Sequence, residues 1–310
     1  FVPFSFLRYR YAYSAFGILN ALLLLVVFKR IRRGNVAPGP NCRWMQLTLL
    51  CGFLPIFIAL MQGQDSILML VLFVICGQML ETRSDAKAGA ILALALFKFQ
   101  FVLPAAVLIG LRRSRFFAAF AATTFALAGI SVCLVGISGA QSGLGMLLNM
   151  STRLSGASQQ AAYMVFPSAM ANLRGFIETT LGGVLQHGSL QQLTAGLSIG
   201  MLVWCAFRIR GLANIVICAV LVSYHALPHD LSLLLIPIST LCARIAAGAS
   251  FQPRRDLAFL TSLMCAPTIL LFFGSRFFLY AIVLCAALIF FPRSFEQETR
   301  VEGPSAVAAG

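Results

Sequence analysis

The chain has 310 residues, of which 60% are hydrophobic and only 10% are charged, and its mean hydropathy is +0.91. This composition excludes a soluble domain, because apolar runs recur along the chain at lengths close to the roughly 20 residues that cross the hydrocarbon core of a membrane. The net charge of +14 does not indicate nucleic-acid binding, because the basic residues are clustered between the apolar runs. We therefore predict an all-α, polytopic membrane protein with no nucleic-acid partner.

The apolar runs predict the membrane helices, and the charges between them predict the orientation. In chain order the runs are Tyr11–Phe28, Gln46–Met61, Ser66–Leu80, Phe116–Ile137, Gln192–Phe207, Leu212–Ser223, Leu231–Ala243, Leu257–Phe273 and Phe277–Phe291. With a broken pair around Lys98 added, we expect about nine to eleven transmembrane helices. Basic clusters such as Lys29–Arg33 indicate the cytoplasmic side, and alternation then places Gly63–Asp65 and His225–Asp230 outside the cytoplasm.

The segment Ala88–Leu111 does not fit a simple crossing. It is long enough to span a membrane once, but basic clusters flank it at both ends, and a single crossing would carry one cluster out of the cytoplasm. We therefore predict a re-entrant or broken pair of short helices, Ala88–Phe97 and Phe101–Leu111, that meet at Lys98. Such an element is tolerated where it is buried in protein or lines a wet cavity.

The region 138–191 differs from the rest in being long, moderately polar and rich in Gly and Ser, and alternation places it outside the cytoplasm. Two interpretations stay open for it: a solvated loop, or interfacial amphipathic helices at Met146–Leu154 and Ala161–Phe176. The membrane domain is predicted to cover residues 1–292, followed by a cytoplasmic, disordered tail at 293–310. Because the chain begins with Phe1 instead of Met, we expect it to lack its N-terminal part.

A few ionisable residues in or beside the apolar runs are the candidate functional residues, because a charge in a membrane is costly and is usually kept to bind or move something. They are Asp65, Lys98, His225, His229 and Asp230. Lys98 is the most specific of them, since its ammonium group is suited to an anion such as a lipid phosphate. Gln64 and Asp65 either form a turn that caps the next helix or hydrogen-bond a polar ligand.

The segment Tyr224–Asp230 places a phenol, two imidazoles and a carboxylate in one short turn. Asp230 is explained as the N-cap of a helix that is predicted to begin at Leu231. The two histidines are not explained in this way, and we expect them to bind a sugar or a phosphate. A metal site is not predicted, because no third histidine or carboxylate is positioned beside them, although a divalent metal is not excluded.

Several short motifs follow one another in a particular order. Gly63-Gln64 opens a short helix that ends in Arg83, and later an aromatic-His-Asp turn leads into a Leu-rich helix. The full set is the Pro-containing start Phe1–Pro3, Gly63-Gln64, Ala88-Gly89 leading to Lys98, the basic cluster Arg112–Arg115, Ala171–Gly175 and Tyr224–Leu234. From Val2 to Pro237 this order resembles glycosyltransferase family 87, the polyprenyl-phosphate-mannose-dependent mannosyltransferases of the GT-C superfamily.

The resemblance implies a GT-C-like protein of a bacterial inner membrane. Such a protein transfers a sugar, typically mannose, from a polyprenyl-phosphate donor to a lipid or glycan acceptor on the outer face, with inversion and without a nucleotide sugar. No cofactor is predicted. It implies that Lys98 lies near the donor phosphate, with His229 or Arg174 as helpers. The expected substrate-binding residues are Gln64, Asp65, Lys98, Arg174, His225, His229 and Asp230.

The catalytic base is the point at which the chain departs from the family pattern. The family's catalytic aspartate is expected upstream of Phe1, so Asp65, Asp230 and Glu178 are the external carboxylates that this sequence offers. The catalytic residue is therefore left unassigned, with Asp65 and Asp230 as weak candidates. The alternatives to a glycosyltransferase are a secondary transporter or lipid flippase, and a membrane polysaccharide polymerase or ligase.

Overall fold

The computed structural model of the chain describes residues 6–34, 51–153, 166–246, 248, 252–274 and 276–290. Within these residues the chain forms helices and no β-strand. The helices are α1 (Tyr9–Gly34), α2 (Leu54–Met61), α3 (Ser66–Glu81), α4 (Asp85–Ala93), α5 (Phe99–Gly110), α6 (Ser114–Arg153), α7 (Leu173–Leu181), α8 (His187–Arg208), α9 (Leu212–Val222), α10 (Leu235–Ala246), α11 (Pro253–Phe272) and α12 (Tyr280–Phe290). Short 3₁₀ segments lie at Leu96–Lys98, Pro167–Ala169, Pro228–Leu234 and Phe277–Leu279. The predicted all-α class is confirmed.

The helices that could cross a membrane lie where the apolar runs predicted them. In the described part of the chain, five are long and apolar enough, namely Tyr9–Ile31, Ser114–Gly145, His187–Arg208, Pro228–Ala246 and Pro253–Phe272. The bent pair Asp85–Ala93 and Leu96–Gly110 makes a sixth if it is one span. Three shorter apolar helices, Ser66–Glu81, Leu212–Val222 and Phe277–Phe290, also coincide with predicted spans. A polytopic membrane protein is therefore confirmed, and the total of nine to eleven spans stays a prediction.

The interior of the bundle is formed by short helices, and the long helices surround them. Nearly every residue of α9 is buried, and so is most of α3 and of the segment Pro228–Ala246. By contrast, Ser114–Gly145 is almost entirely exposed while being strongly apolar, with Phe125, Leu134 and Ile137 on its surface. A helix that is apolar on its exposed faces is suited to contact with lipid.

The predicted break at Lys98 is confirmed. Helix α4 ends at Ala93, the 3₁₀ segment Leu96–Lys98 follows, and the chain changes direction by 61° between the two arms of the pair. The backbone of Lys98 leaves helical geometry, with φ −122° and ψ 59°, before α5 begins at Phe99. At the break Ala95 and Lys98 are buried in protein, which is where a non-helical backbone at membrane depth is tolerated.

The helix that one of the two interpretations placed at Ala161–Phe176 differs in its bounds from the helix that the structure describes. Residues 161–165 lie outside that part, Pro167–Ala169 is a single 3₁₀ turn, and the helix begins only at Leu173. The reason is local, because the side chain of Asn172 accepts a hydrogen bond from the Gly175 amide at 2.9 Å and so acts as the N-cap of α7. Met146–Leu154 is helical as far as Arg153, as part of α6.

The predicted end of one membrane helix at Ile137 corresponds to an interruption inside α6. Gly136 has φ 75° and ψ 167°, which is not helical. This positive φ lies in the region that glycine adopts without steric cost, so the residue can redirect the chain there. The region 138–191, expected as a loop or as interfacial helices, contains the end of α6, helix α7 and the start of α8.

Gly89 allows α4 and α6 to approach closely. A Cβ atom at this position would lie 2.2 Å from the carbonyl oxygen of Phe116 and 2.9 Å from the amide nitrogen of Phe120. We therefore expect Gly89→Ala to force the helices apart and to destabilise the protein by about 1–3 kcal/mol, measured as a lower Tm in detergent. Gly129→Ala, at a position in α6 with open space around it, is the matched control. Equal Tm values for the two variants would contradict the close packing.

Candidate functional site

Residues from three distant parts of the chain meet in a buried cluster. Lys98 Nζ lies 2.5 Å from Asp230 Oδ1, 2.9 Å from Asp65 Oδ1 and 2.8 Å from Ser66 Oγ. The hydroxyl group of Ser66 also donates to Asp230 Oδ1 at 3.0 Å. The ammonium group of Lys98 donates to Ser66 and Asp230 and forms an ion pair with Asp65. We call this group the lysine cluster: Asp65, Ser66, Lys98 and Asp230.

The turn before α3 brings Asp65 to the lysine cluster. Gly63 has φ 60°, a conformation that favours glycine, and it reverses the chain between α2 and α3. Asp65 then occupies the N-cap position of α3, but within the described residues its side chain makes no capping hydrogen bond. The carboxylate pairs with Lys98 instead. These contacts argue against helix capping, which was one of the two interpretations of Asp65.

Asp230 makes more side-chain contacts than the N-cap role predicted for it would require. The prediction that it is the N-cap of a helix beginning at Leu231 is wrong, because the helix begins earlier, as a 3₁₀ segment at Pro228. Proline favours this early start, since its fixed φ suits a first helical turn and it has no N–H to satisfy. Asp230 is thus the third residue of the segment, and its Oδ2 accepts the backbone N–H of Leu227 at 3.1 Å. Oδ1 is left facing Lys98 and Ser66.

His229 lies beside the lysine cluster and connects it to the end of α2. Its Nδ1 lies 2.9 Å from Gln62 Oε1, and its Nε2 lies 3.5 Å from Asp230 Oδ1. Gln62 and Ser66 were missed by the sequence reasoning, which favoured Gln64 in this turn. Gln64 is close by, and its backbone carbonyl accepts from Asn20 Nδ2 at 3.4 Å. Proximity to Asp65 in sequence was the available signal for both missed residues, but polar residues at helix ends are too common to single them out.

The segment before α7 is fastened to the turn that carries the two histidines. The Ala171 amide donates to the Ala226 carbonyl at 2.8 Å, and Asn172 Nδ2 donates to the Ser223 carbonyl at 2.8 Å. A Cβ atom at Gly175 would lie 2.4 Å from the Met170 carbonyl oxygen, so glycine is needed for this close approach. The sequence Ala171–Gly175 therefore serves to dock α7 on the turn.

This docking places Arg174 at the other end of the same turn from Asp230. The guanidinium carbon of Arg174 lies 4.1 Å from the centroid of the Tyr224 ring, and Nε donates to Glu178 Oε1 at 2.7 Å. The residue is only 6% exposed. Among the residues that the structure describes, its Nη1 has no hydrogen-bond partner, although this atom is buried.

The comparison with known proteins bears directly on these residues. The sequence matches glycosyltransferase family 87 over residues 1–237, which is well over half of the chain. The chain belongs to glycosyltransferase family 87. The matched region contains the whole lysine cluster, both histidines of the turn and Arg174, and it ends before α11 and α12. No curated protein and no solved structure shows a significant match.

Membership of family 87 makes the protein a membrane glycosyltransferase, so of the classes left open by the sequence the transferase is the one supported. A glycosyltransferase needs a group that accepts the proton of the acceptor hydroxyl. The side chain of Asp65 is 21% exposed, whereas that of Asp230 is 2% exposed. Both pair with Lys98, and Asp65 is the more accessible of the two.

The charges in this family 87 protein leave the lysine cluster slightly negative. Two carboxylates face one ammonium group, which gives a net charge of −1 when all three are ionised. Nearby, burial lowers the pKa of His225; Asp230 opposes this shift, and the charges of Arg174 and Lys98 add to it. The imidazole of His225 is therefore neutral at pH 7 and is available as a hydrogen-bonding group.

A metal or cofactor was not predicted from the sequence. In the part of the chain that the structure covers, no group of three or more His, Cys, Asp or Glu residues could hold a metal ion. Lys98 occupies the position between the two carboxylates where a cation would otherwise lie. Metal independence stays a prediction.

Proposed function

We propose that this family 87 glycosyltransferase transfers mannose from a polyprenyl-phosphate donor to a lipid or glycan acceptor, with inversion at the anomeric carbon. The observation that carries the proposal is the lysine cluster, in which a partly exposed carboxylate is held beside a buried ammonium group at the ends of apolar helices. A donor with a polyprenyl tail remains in the bilayer, and its sugar phosphate can meet such a cluster at the membrane surface.

Asp65 is our candidate for the general base. It would accept the proton of the acceptor hydroxyl as the oxygen of that hydroxyl bonds to the anomeric carbon and the bond from that carbon to the donor phosphate breaks. Its Oδ1 is oriented by Lys98 at 2.9 Å, and its exposure of 21% leaves room for a substrate. Asp230, with both oxygens engaged, is a positioning residue that holds Lys98 in place.

We further propose that transfer takes place on the extracytoplasmic face of a bacterial inner membrane. Asp65 and Ser66 lie at the N-terminal end of α3, while Arg113 contacts the Leu80 carbonyl and the Asp85 carboxylate near its C-terminal end, both through Nη1. The 16 residues of α3 separate these ends by about 24 Å. Because Arg113 belongs to a basic cluster of the kind retained in the cytoplasm, the lysine cluster belongs on the opposite side.

The donor is tested directly with purified protein in proteoliposomes that contain a bacterial membrane lipid extract as the source of acceptor. We expect radiolabelled mannose to be transferred from polyprenyl-phosphate mannose and not from GDP-mannose, with protein-free vesicles as the blank. Transfer from GDP-mannose in the absence of polyprenyl phosphate would contradict the donor class. Transfer of a different polyprenyl-linked sugar, with none of mannose, would contradict the sugar but not the lipid carrier.

A further inference from the structure

The guanidinium group of Arg174 is held in place by the protein, but within the described part of the chain not all of its N–H donors have a hydrogen-bond acceptor. Its Nε is bound to Glu178, its plane is near the ring of Tyr224, and its buried Nη1 lacks a partner among the described residues. A buried N–H group without an acceptor is costly, so such a group calls for a water, an ion or a ligand. The unsatisfied edge belongs to a cation, so the fitting ligand is an anion.

Lys98, the other buried cation near the turn, is poorly placed to receive that anion. Its ammonium group already donates to Ser66 and Asp230 and forms an ion pair with Asp65. An incoming phosphate would compete with these groups and would approach two carboxyl groups beside a single ammonium group. Arg174 has one carboxylate partner, Glu178, and that partner occupies only the Nε side of the guanidinium group.

The local structure around Arg174 adds to its affinity for an anion. It is the second residue of α7, a helix of nine residues, and the positive end of the helix dipole therefore lies beside it. His225 follows Tyr224 in the turn, with a centroid-to-centroid distance of 6.1 Å between the two rings, and its neutral imidazole can donate a second hydrogen bond. The Tyr224 ring limits the guanidinium group to one plane, which pre-organises it for two parallel bonds to phosphate oxygens.

We propose that Arg174 binds the phosphate group of the polyprenyl-phosphate sugar donor, and of the polyprenyl phosphate that leaves, through the Nη edge of its guanidinium group. The inference rests on the proposed function. The resemblance implied that Lys98 lies near the phosphate with His229 or Arg174 as helpers, and here Arg174 takes the main part. As the bond from the anomeric carbon to oxygen breaks, its electron pair remains on the phosphate oxygen, and Arg174 stabilises the added negative charge. Lys98 then serves to hold Asp65 in position.

Binding of tritiated undecaprenyl phosphate to the full chain in detergent micelles tests this assignment. We expect Arg174→Gln to weaken binding on the order of tenfold or more, because a charge-assisted bond is lost. Glu178→Gln keeps an acceptor for Nε but removes a competing negative charge, so we expect equal or tighter binding. Arg115→Gln, at an exposed arginine in the first turn of α6, is the matched control with unchanged affinity. Thermal unfolding of each variant establishes that it is folded.

The outcomes separate this inference from the proposed function. Undiminished binding in folded Arg174→Gln, or equal weakening in both Arg174→Gln and Glu178→Gln, would overturn the phosphate role and leave the donor class intact. Phosphatidylglycerol or inorganic phosphate could compete as strongly as unlabelled undecaprenyl phosphate does. In that case the Nη edge of Arg174 would be assigned to a lipid headgroup or a free phosphate ion. Equal binding of undecaprenol and undecaprenyl phosphate by the unmodified protein would instead contradict the proposed donor itself.

Discussion

Lys98→Met is expected to abolish sugar transfer and to destabilise the folded protein. Methionine has a similar length and no charge, so the change leaves Asp230, which is 2% exposed, facing Asp65 without a cation between them. Removing one member of a buried ion pair costs about 3–5 kcal/mol, because the remaining charge is buried without a partner. Transfer from polyprenyl-phosphate mannose and the Tm in detergent are the two measurements.

A second variant separates loss of folding from loss of function at Lys98. Lys98→Met combined with Asp230→Asn removes the orphaned charge, and we expect it to recover much of the Tm while remaining inactive, since Asp65 is still without its partner. Lys87→Met, at an exposed lysine of α4, is the matched control and should behave like the unmodified protein. Transfer by Lys98→Met at the rate of that control would remove Lys98 from the site.

Asp65→Asn is expected to slow transfer by roughly 10²–10⁴-fold with little change in Tm, as for the loss of a general base. Asparagine keeps the size and the carbonyl oxygen that faces Lys98, but it cannot take a proton from an acceptor hydroxyl. The partial exposure of Asp65 also means that the neutral side chain causes little packing or desolvation penalty. Single-turnover transfer at saturating donor measures the chemical step apart from binding.

Asp230→Asn is the matched comparison, because it removes the same charge from the other carboxylate of the lysine cluster. Asp230 accepts from Lys98, Ser66 and the Leu227 amide, so its loss should lower Tm more than the loss of Asp65 does. If Asp65→Asn transferred mannose at an undiminished rate and a folded Asp230→Asn did not, the roles proposed for the two carboxylates would be exchanged.

Hydropathy and charge along the chain were enough to predict the class of protein and much of its layout. The apolar runs predicted the positions of the membrane helices, and the flanking basic clusters predicted the break at Lys98. The order of short motifs also pointed to glycosyltransferase family 87, which the match over residues 1–237 confirms. These features are readable because hydropathy, charge clustering and helix-breaking patterns depend on residues that are neighbours along the chain.

Which of the candidate residues lie together depends on the packing of the helices. Lys98 and Asp230 are 132 residues apart in the sequence, and their 2.5 Å contact depends on how α3, α5 and the segment Pro228–Leu234 pack. The same packing brings Ser66 to the lysine cluster and Gln62 to His229, and it places Arg174 over the Tyr224 ring. Asp230 is the third residue of its 3₁₀ segment instead of the N-cap. No local pattern encodes these pairs, because side chains on different helices meet through the crossing geometry of the whole bundle.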